Sequence, residues 1–223
     1  MKDTTTLRDL FTEELQDILH GERQLVKALP KMAKAATSPD LRDALQNHLA
    51  ETEEHVARIE QAFDLLDESA KTKVCAGLQG IIEEGSNAIK EHDKGAALDA
   101  AIIAGGQRAE HYEIAVYGTL TAWAKALGHD DIAALLSDTL EEEKAADEKL
   151  TELAEAGIND AAQSSRGANA EDEGEDEGED DEEREQAAGR GNGREMASAG
   201  ASSRGRNRST QGQKSNSKGR SQK

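Results

Sequence analysis

Residues 96–127 read AALDAAIIAGGQRAEHYEIAVYGTLTAWAKAL, and their pattern predicts the architecture of the folded part of the chain. Apolar side chains recur along this stretch every three or four residues, the spacing of a helix with one buried face: Leu98, Ile102, Ala109, Val116, Leu120 and Ala124. Gly128 follows directly and is a typical residue for ending a helix. Glu113 lies at the centre of the apolar face, with Glu110 one turn earlier on its flank. The stretch therefore predicts a long buried helix that carries a carboxylate into the core.

Two further helical stretches precede this one and form a first pair. The first predicted helix spans about residues 5–29. Pro30 is expected to end it, because proline lacks the backbone N–H that a helix interior uses. The next begins with Ser38 as its N-cap and Pro39 at the first helical position, and it extends to Leu66. Both stretches have apolar residues at helical spacing, among them Phe11, Ile18, Leu25, Leu41, Leu45, Ile59 and Phe63.

A fourth helix is predicted at 130–156, with Gly157 as its stop. Between the two pairs, residues 67–95 have a weaker apolar pattern that is interrupted by glycines, which predicts short helices within a long connection. Two helical hairpins joined by a long crossover have the connectivity of ferritin-like proteins. The predicted fold is therefore an all-α, ferritin-like four-helix bundle.

The composition places this bundle in residues 1–156 and leaves residues 157–223 as a tail. Leu, Ile, Val, Phe and Met are almost absent from the second part. A segment so poor in apolar side chains cannot bury enough surface to offset its chain entropy, so the tail is expected to be disordered. Its two ends differ in charge, since residues 171–185 are strongly acidic and residues 186–223 are basic.

Charge and composition also exclude several classes of protein. The net charge of −19 disfavours binding to nucleic acid or to anionic lipid. No apolar run has the length of a signal peptide or a membrane span, and the single Cys75 implies no disulfide. A cytoplasmic protein without a membrane partner is expected. Nucleic acid remains a candidate partner only for the basic segment 186–223, and pairing of that segment with the acidic block 171–185 is the favoured interpretation.

The apolar faces of three helices are interrupted by acidic side chains. Glu22, Glu113 and Glu143 each lie at the centre of a stripe, and Asp147 lies beside Glu143. The second helix has Glu51 on the flank of its stripe, near His48 and His55, and Glu54 within the same turn. If the four stripes meet, each helix contributes at least one carboxylate to a shared polar centre.

Such a centre needs positive charge, because each unpaired buried carboxylate costs several kcal/mol of hydration. Lysine and arginine are absent from the stripe centres. Carboxylates with one or two imidazoles suit two ions of iron or manganese. A simpler interpretation remains open for some residues: Glu54, Glu110 and Asp147 at a solvated rim, His48 and His55 as hydrogen-bonded side chains, and Tyr112 and Tyr117 as packing residues.

The residues that carry these features resemble the YciF/YciE-type ferritin-like stress proteins over about residues 5–155. The matching segments are LRDLF at 7–11, ERQL at 22–25, ET at 51–52, EHYEIAVYG at 110–118 and EEKAADE at 142–148. The resemblance implies a rubrerythrin-like bundle, usually dimeric, with a dinuclear metal centre. It assigns metal ligands to Glu22, Glu51, Glu110 and Glu143, with Glu54 and Glu113 completing two Glu-x-x-Glu spacings.

One departure from the family pattern concerns histidine. A rubrerythrin-like Glu-x-x-His spacing would place histidines where this chain has Glu54 and Ala146, so Glu54, His55 or Asp147 is expected to substitute. In the resulting hypothesis Glu51 and Glu143 bridge the two ions, Glu22 and Glu110 are terminal ligands, and a small oxidant or ferrous iron reacts there under oxidative or osmotic stress. The alternative is a non-enzymatic stress-associated binding or assembly module that uses the tail.

Overall fold

The computed structural model describes residues 5–164, and these residues are helical with short connections. The helices are α1 (Leu7–Ala35), α2 (Pro39–Leu65), α3 (Ala76–Glu91), α4 (Ala96–Ala126) and α5 (Asp130–Leu153). The most extensive packing is between α4 and α5 and between α1 and α2, the two predicted hairpins, while α3 lies in the crossover against α1 and α4. The all-α, ferritin-like bundle is confirmed.

The ends of the first pair of helices agree only in part with the prediction. Thr6 caps α1 through a reciprocal bond with Asp9, and Ser38 caps α2 as predicted, its hydroxyl accepting from Leu41 N. The prediction that Pro30 ends α1 is wrong, because the helix continues to Ala35. Proline forfeits only one backbone bond here, and the burial of the residues that follow it keeps the last turn helical.

The crossover contains one continuous helix of 16 residues, α3, in place of the predicted short helices. Its glycines suggested breaks, but Gly77 lies where a Cβ atom would come 2.9 Å from the phenolic oxygen of Tyr112. At this position glycine allows close packing against α4 and does not end a helix. Leu78 is fully buried and packs against Gly21 of α1, which anchors the crossover to the bundle.

The predicted end of the last helix also needs correction. α5 ends at Leu153, but a π-helical turn follows at Ala154–Ile158, and helix continues to residue 164. Gly157 marks a kink, with φ of 140°, and does not end the helical structure. Residues 158–164 therefore contradict the expectation that nothing folds beyond residue 156. The predicted acidic block 171–185 and basic segment 186–223 lie outside the described residues.

The core of the described part consists mainly of apolar side chains. Tyr117, Phe11 and Phe63 are among its largest fully buried side chains. Asp99 ties the α1–α2 connection to the start of α4, because its carboxylate accepts from Thr37 N at 2.7 Å and from Ser38 N at 2.8 Å. No helix of residues 5–164 is long and apolar enough to cross a membrane.

Candidate metal centre

Four glutamates from three helices lie in the middle of the bundle. Glu22 of α1, Glu110 and Glu113 of α4 and Glu143 of α5 are each at most 3% exposed. This is the interior position that the stripe pattern predicted for Glu22, Glu113 and Glu143, and Glu110 joins them although it lies on the flank of its stripe. The structure therefore brings four of the candidate ligands together.

The second helix contributes histidines to this centre. His48, Thr52 and His55 are buried on the inner face of α2. Glu51 and Glu54 are exposed, with 47% of the Glu51 side chain accessible to solvent. A helix turns by about 100° per residue, so a side chain one position before an inward one points well away from the core. The structure does not bring Glu51 and Glu54 to the centre, and their assignment as ligands stays a prediction.

Five of these side chains form two groups that share Glu143, and Glu113 lies outside both groups. In the His55 group, comprising Glu22, His55 and Glu143, Nδ1 of His55 lies 3.0 Å from Glu143 Oε1 and 3.7 Å from Glu22 Oε1. In the His48 group, comprising His48, Glu110 and Glu143, Nε2 of His48 lies 3.4 Å from Glu110 Oε1 and 3.8 Å from Glu143 Oε2. Each oxygen of Glu143 thus faces a different histidine. Glu143 therefore belongs to both groups of possible metal ligands.

Most carboxylate oxygens of the centre lack a hydrogen-bond partner among the described residues. Among residues 5–164, no hydrogen bond reaches either carboxylate oxygen of Glu113 or Glu143, nor Oε2 of Glu22 or Glu110. His55 Nδ1 is also without a hydrogen bond, although Glu143 Oε1 is close to it. Asp99 is equally buried and fully served by donors, which shows that this chain can satisfy a structural carboxylate. The buried oxygen and nitrogen atoms of the centre that lack hydrogen bonds are therefore suited to bind metal ions.

Each inward histidine is held from behind by a glutamate. His55 Nε2 donates to Glu142 Oε2 at 2.9 Å, and Glu142 also forms a two-point ion pair with Arg58. His48 Nδ1 donates to Glu51 Oε2 at 3.3 Å. Metal-binding histidines are commonly oriented this way, because the outer bond directs the lone pair of the other nitrogen to the ion. Glu142 directly precedes Glu143, but no role for its side chain was predicted from the sequence.

Tyr117 completes the surroundings of the His55 group. It is fully buried, its hydroxyl donates to Glu22 Oε1, and its ring lies 6.2 Å from that of His55 in an edge-on arrangement. Burial and the nearby carboxylates hold the pKa of Tyr117 well above its ordinary value. The phenol therefore keeps its proton and fixes one oxygen of Glu22, while Tyr112 lies apart from the centre against Cys75.

The pKa values follow from this crowding of carboxylates. Burial and the charge of Glu143 raise the pKa of Glu22 to about 7, and burial raises those of Glu110 and Glu113 well above the ordinary value. Burial also opposes a charge on His55, but its contacts with Glu143 and Glu22 outweigh this effect and raise its pKa to about 9. Without metal, the centre therefore retains protons at neutral pH that a cation would replace.

Asp147 lies at the edge of the centre. Its carboxylate is half-buried and is 3.1 Å from Nε2 of the exposed His111, and its Oδ1 is buried without a hydrogen-bond partner among the described residues. It belongs to neither three-residue group. Its assignment as a ligand stays a prediction, and the structure places it beside the centre.

Two cavities reach the His48 group. The larger, about 620 Å³, lies between α2 and α5 and is lined by His48, Glu110 and Ala146 among others. The smaller, about 160 Å³, is largely apolar, lies among α1, α3 and α4, and also ends at His48 and Glu110. Neither cavity is lined by Glu22 or His55. The two groups therefore differ in access: the His48 group can be reached from two sides, whereas the His55 group is enclosed.

Comparisons with known proteins agree with this architecture. Residues 6–163 match the family described as Domain of unknown function (DUF892). Protein YciF of Escherichia coli (strain K12) is 42% identical over 160 residues, which are 71% of this chain and 96% of that protein.

Solved structures show the same likeness. The E. coli stress protein YciF has a TM-score of 0.67 with 42% identity, covering 70% of this chain and 99% of the other. A Rhodopseudomonas palustris protein named YcfI has a TM-score of 0.65 with 45% identity, covering 67% and 96%. A Xanthomonas campestris protein that is 22% identical, with a TM-score of 0.57, covers 72% and 98% and shares the fold. The resemblance to YciF-type proteins is thereby confirmed.

Proposed function

This chain belongs to the DUF892 family, and we propose that it binds two divalent ions of iron or manganese, one in the His55 group and one in the His48 group. The observation that carries the proposal is the set of buried ligand atoms around Glu143 that have no hydrogen-bond partner among residues 5–164. One carboxylate faces both histidines, and each histidine is oriented from behind. This geometry suits a dinuclear site with Glu143 as its bridge.

Charge balance supports two ions. Four buried glutamates carry four negative charges when ionised. Two divalent cations would neutralise them, with both histidines neutral and coordinating. A single divalent cation would leave two unpaired charges in the interior, each costing several kcal/mol of hydration. Oxygen-rich ligand sets with two imidazoles are typical of iron and manganese in helical bundles.

The second helix departs from the Glu-x-x-His pattern that the resemblance implies. His55 faces inward, so the Glu-x-x-His spacing that ends there would require a glutamate at position 52, where this chain has threonine. The Thr52 hydroxyl donates to the His48 carbonyl at 2.7 Å. His48 thus supplies the ligand of α2 to the second ion in place of a carboxylate at position 52. Of the three residues expected to substitute for a histidine, Glu54, His55 and Asp147, the inward position of His55 favours His55.

We propose that the loaded protein reacts with peroxide, oxygen or ferrous iron in the response to oxidative or osmotic stress. The bound metal pair would supply electrons to a small oxidant. The chain would hold the ions through Glu143, keep Tyr117 protonated against Glu22, and exclude bulk water from the His55 group. Neither carboxylate oxygen of Glu113 has a hydrogen-bond partner among residues 5–164, and burial with the charges of the other three glutamates raises its pKa, so it can take up or release a proton as the charge of the centre changes. A dimeric, cytoplasmic protein remains part of this proposal.

The reaction is tested by adding hydrogen peroxide to iron-loaded full-length protein and following ferrous iron consumption. The ferrous iron bound to wild type should be oxidised faster than free ferrous iron at the same concentration. With Glu143→Gln, the ferrous iron should be oxidised at the rate of free iron. With Glu53→Gln, an exposed change on α2, the rate should equal that of wild type. Metal-loaded wild type that reacts no faster than free iron would rule out the redox role and favour the binding-module alternative.

A further inference from the structure

The larger cavity has a strongly acidic lining. Asp40, Asp43, Glu51 and Glu152 surround it, and Lys149 is its only Lys or Arg lining residue within the described part of the chain. Lys149 is itself paired with Glu152 at 3.1 Å. The cavity therefore presents net negative charge between the surface and the centre.

The inner end of this cavity carries a ligand without a partner. Glu110 is 3% exposed and lines the cavity, and its Oε2 is buried with no hydrogen bond from residues 5–164. His48 lies beside it, with Nε2 directed to Glu110 and Glu143. The acidic lining thus leads to an unpartnered carboxylate that belongs to the His48 group.

The smaller cavity ends at the same two residues but differs in its lining. Its wall is mainly Leu, Ile, Ala and Gly, and its charged lining residues other than Glu110 are Lys27 and Lys31. A cation approaching there would meet positive charge first and then apolar surface, which offers no replacement for its hydration shell. Of the two routes to the His48 group, only the larger cavity suits a cation.

We propose that the cavity between α2 and α5 is the entry route for divalent cations, and that the His48 group fills and exchanges through it. This inference rests on the proposed dinuclear centre and adds an order of access, since the enclosed His55 group receives its ion by way of the His48 group. An ion with six waters occupies about 200 Å³, at about 30 Å³ for each water. The cavity, about 620 Å³, has room for it.

Electrostatics explains how the route would act. Carboxylates that line a cleft with low-dielectric walls concentrate cations and raise their association rate. Asp40 and Asp43 belong to the first turns of α2 and Glu152 to the last turn of α5, and Glu51 lies further along α2 beside His48. A cation can therefore exchange waters for carboxylate oxygens in steps before it reaches Glu110.

The test is the association rate of Co²⁺ with metal-free full-length protein, followed by stopped-flow visible absorption in low salt. Asp43→Asn should lower the rate about threefold and Lys149→Gln should raise it by a similar factor, because each changes the potential along the route by one charge. Asp64→Asn is the matched control, an identical change at an exposed position of the same helix outside the cavity. All four proteins should bind two ions.

Salt provides the second measurement. In 1 M salt the Debye length is about 3 Å, so the rate differences should disappear while two ions still bind. Equal rates for Asp43→Asn, Lys149→Gln and Asp64→Asn in low salt, with two ions bound, would overturn the entry route and leave the dinuclear centre standing. Wild type that binds no Co²⁺ would overturn both.

Discussion

The two halves of the centre share α2 and α5, but one is completed by Glu22 of α1 and the other by Glu110 of α4, and they differ in how they are enclosed. In the His55 group, Glu22 and His55 are fully buried, and Arg58 and Glu142 hold the outer face of the histidine. In the His48 group, the histidine is held by an exposed glutamate, Glu51, and two cavities reach it. One bundle can thus offer an enclosed position and an accessible one to a pair of ions that share a ligand.

The largest expected effect comes from removing the shared ligand. Glu143→Gln keeps the shape of the side chain but leaves neither ion with a bridging carboxylate, so bound metal should fall from two ions per chain to none. The measurement is elemental analysis of full-length protein after iron or manganese loading, with Glu53→Gln as control. Retention of two ions would show that Glu143 is not the bridge.

Substituting each histidine in turn separates the metal binding of the two groups. His48→Gln should leave one ion, held by Glu22, His55 and Glu143 in the enclosed group. His55→Gln should be more damaging, because it also leaves the Arg58–Glu142 pair without its inner partner. Manganese titration followed by electron paramagnetic resonance measures both stoichiometry and the spin coupling of an ion pair. If both variants lost the same number of bound manganese ions, the proposed difference between the two groups would be contradicted.

A smaller effect is expected from the glutamates behind the histidines. Glu142→Gln should weaken metal binding about 10- to 100-fold, as is typical for groups that orient a metal-binding histidine. Glu51→Gln should have less effect, because Glu51 is 47% exposed and its bond to His48 is longer. Isothermal titration with Mn²⁺ compares the two substitutions, which are chemically identical. A larger loss of Mn²⁺ affinity for Glu51→Gln than for Glu142→Gln would contradict this order.

The stability of the metal-free protein should fall as pH rises. The folded-state pKa of Glu22 is about 7, above its ordinary value of 4.5, and that of His55 is about 9, above 6.5. The folded chain thus binds more protons than the unfolded chain between pH 5 and 9, so raising the pH favours unfolding. For Glu22 alone, the free energy of unfolding should fall by on the order of 3 kcal/mol over this pH range. Urea unfolding at pH 5, 7 and 9 measures it, and stability that rises with pH would contradict these shifts.

Much of the architecture could be predicted from the sequence, because long apolar stripes of helical period leave few alternatives. The N-cap at Ser38 and the interior places of Glu22, Glu113 and Glu143 followed from local pattern alone. The local pattern predicts that Pro30 and Gly157 end their helices, but a proline near a buried last turn and a glycine at a kink do not end helical structure when tertiary packing holds the chain. Such packing is invisible to local pattern.

The face of α2 could not be predicted in the same way. Its inner positions are His48, Thr52 and His55, so the apolar stripe is interrupted there by polar residues. The abundant glutamates of the same helix made Glu51 and Glu54 equally plausible ligands. A signal was present, since His48 and His55 are seven residues apart and share a face with Leu41, Leu45 and Ile59. The support from Glu142 depends on contacts with other helices and has no local signature.

The central claim is that Glu143 bridges two ions, one beside His55 and one beside His48. The most direct measurement is a crystal structure of manganese-loaded protein with anomalous scattering recorded at the manganese edge. We predict two anomalous peaks, one on each side of Glu143, each in contact with one of the two histidines. A well-folded, manganese-soaked protein with no peak in the bundle, and with His55 ion-paired to Glu143, would contradict the account.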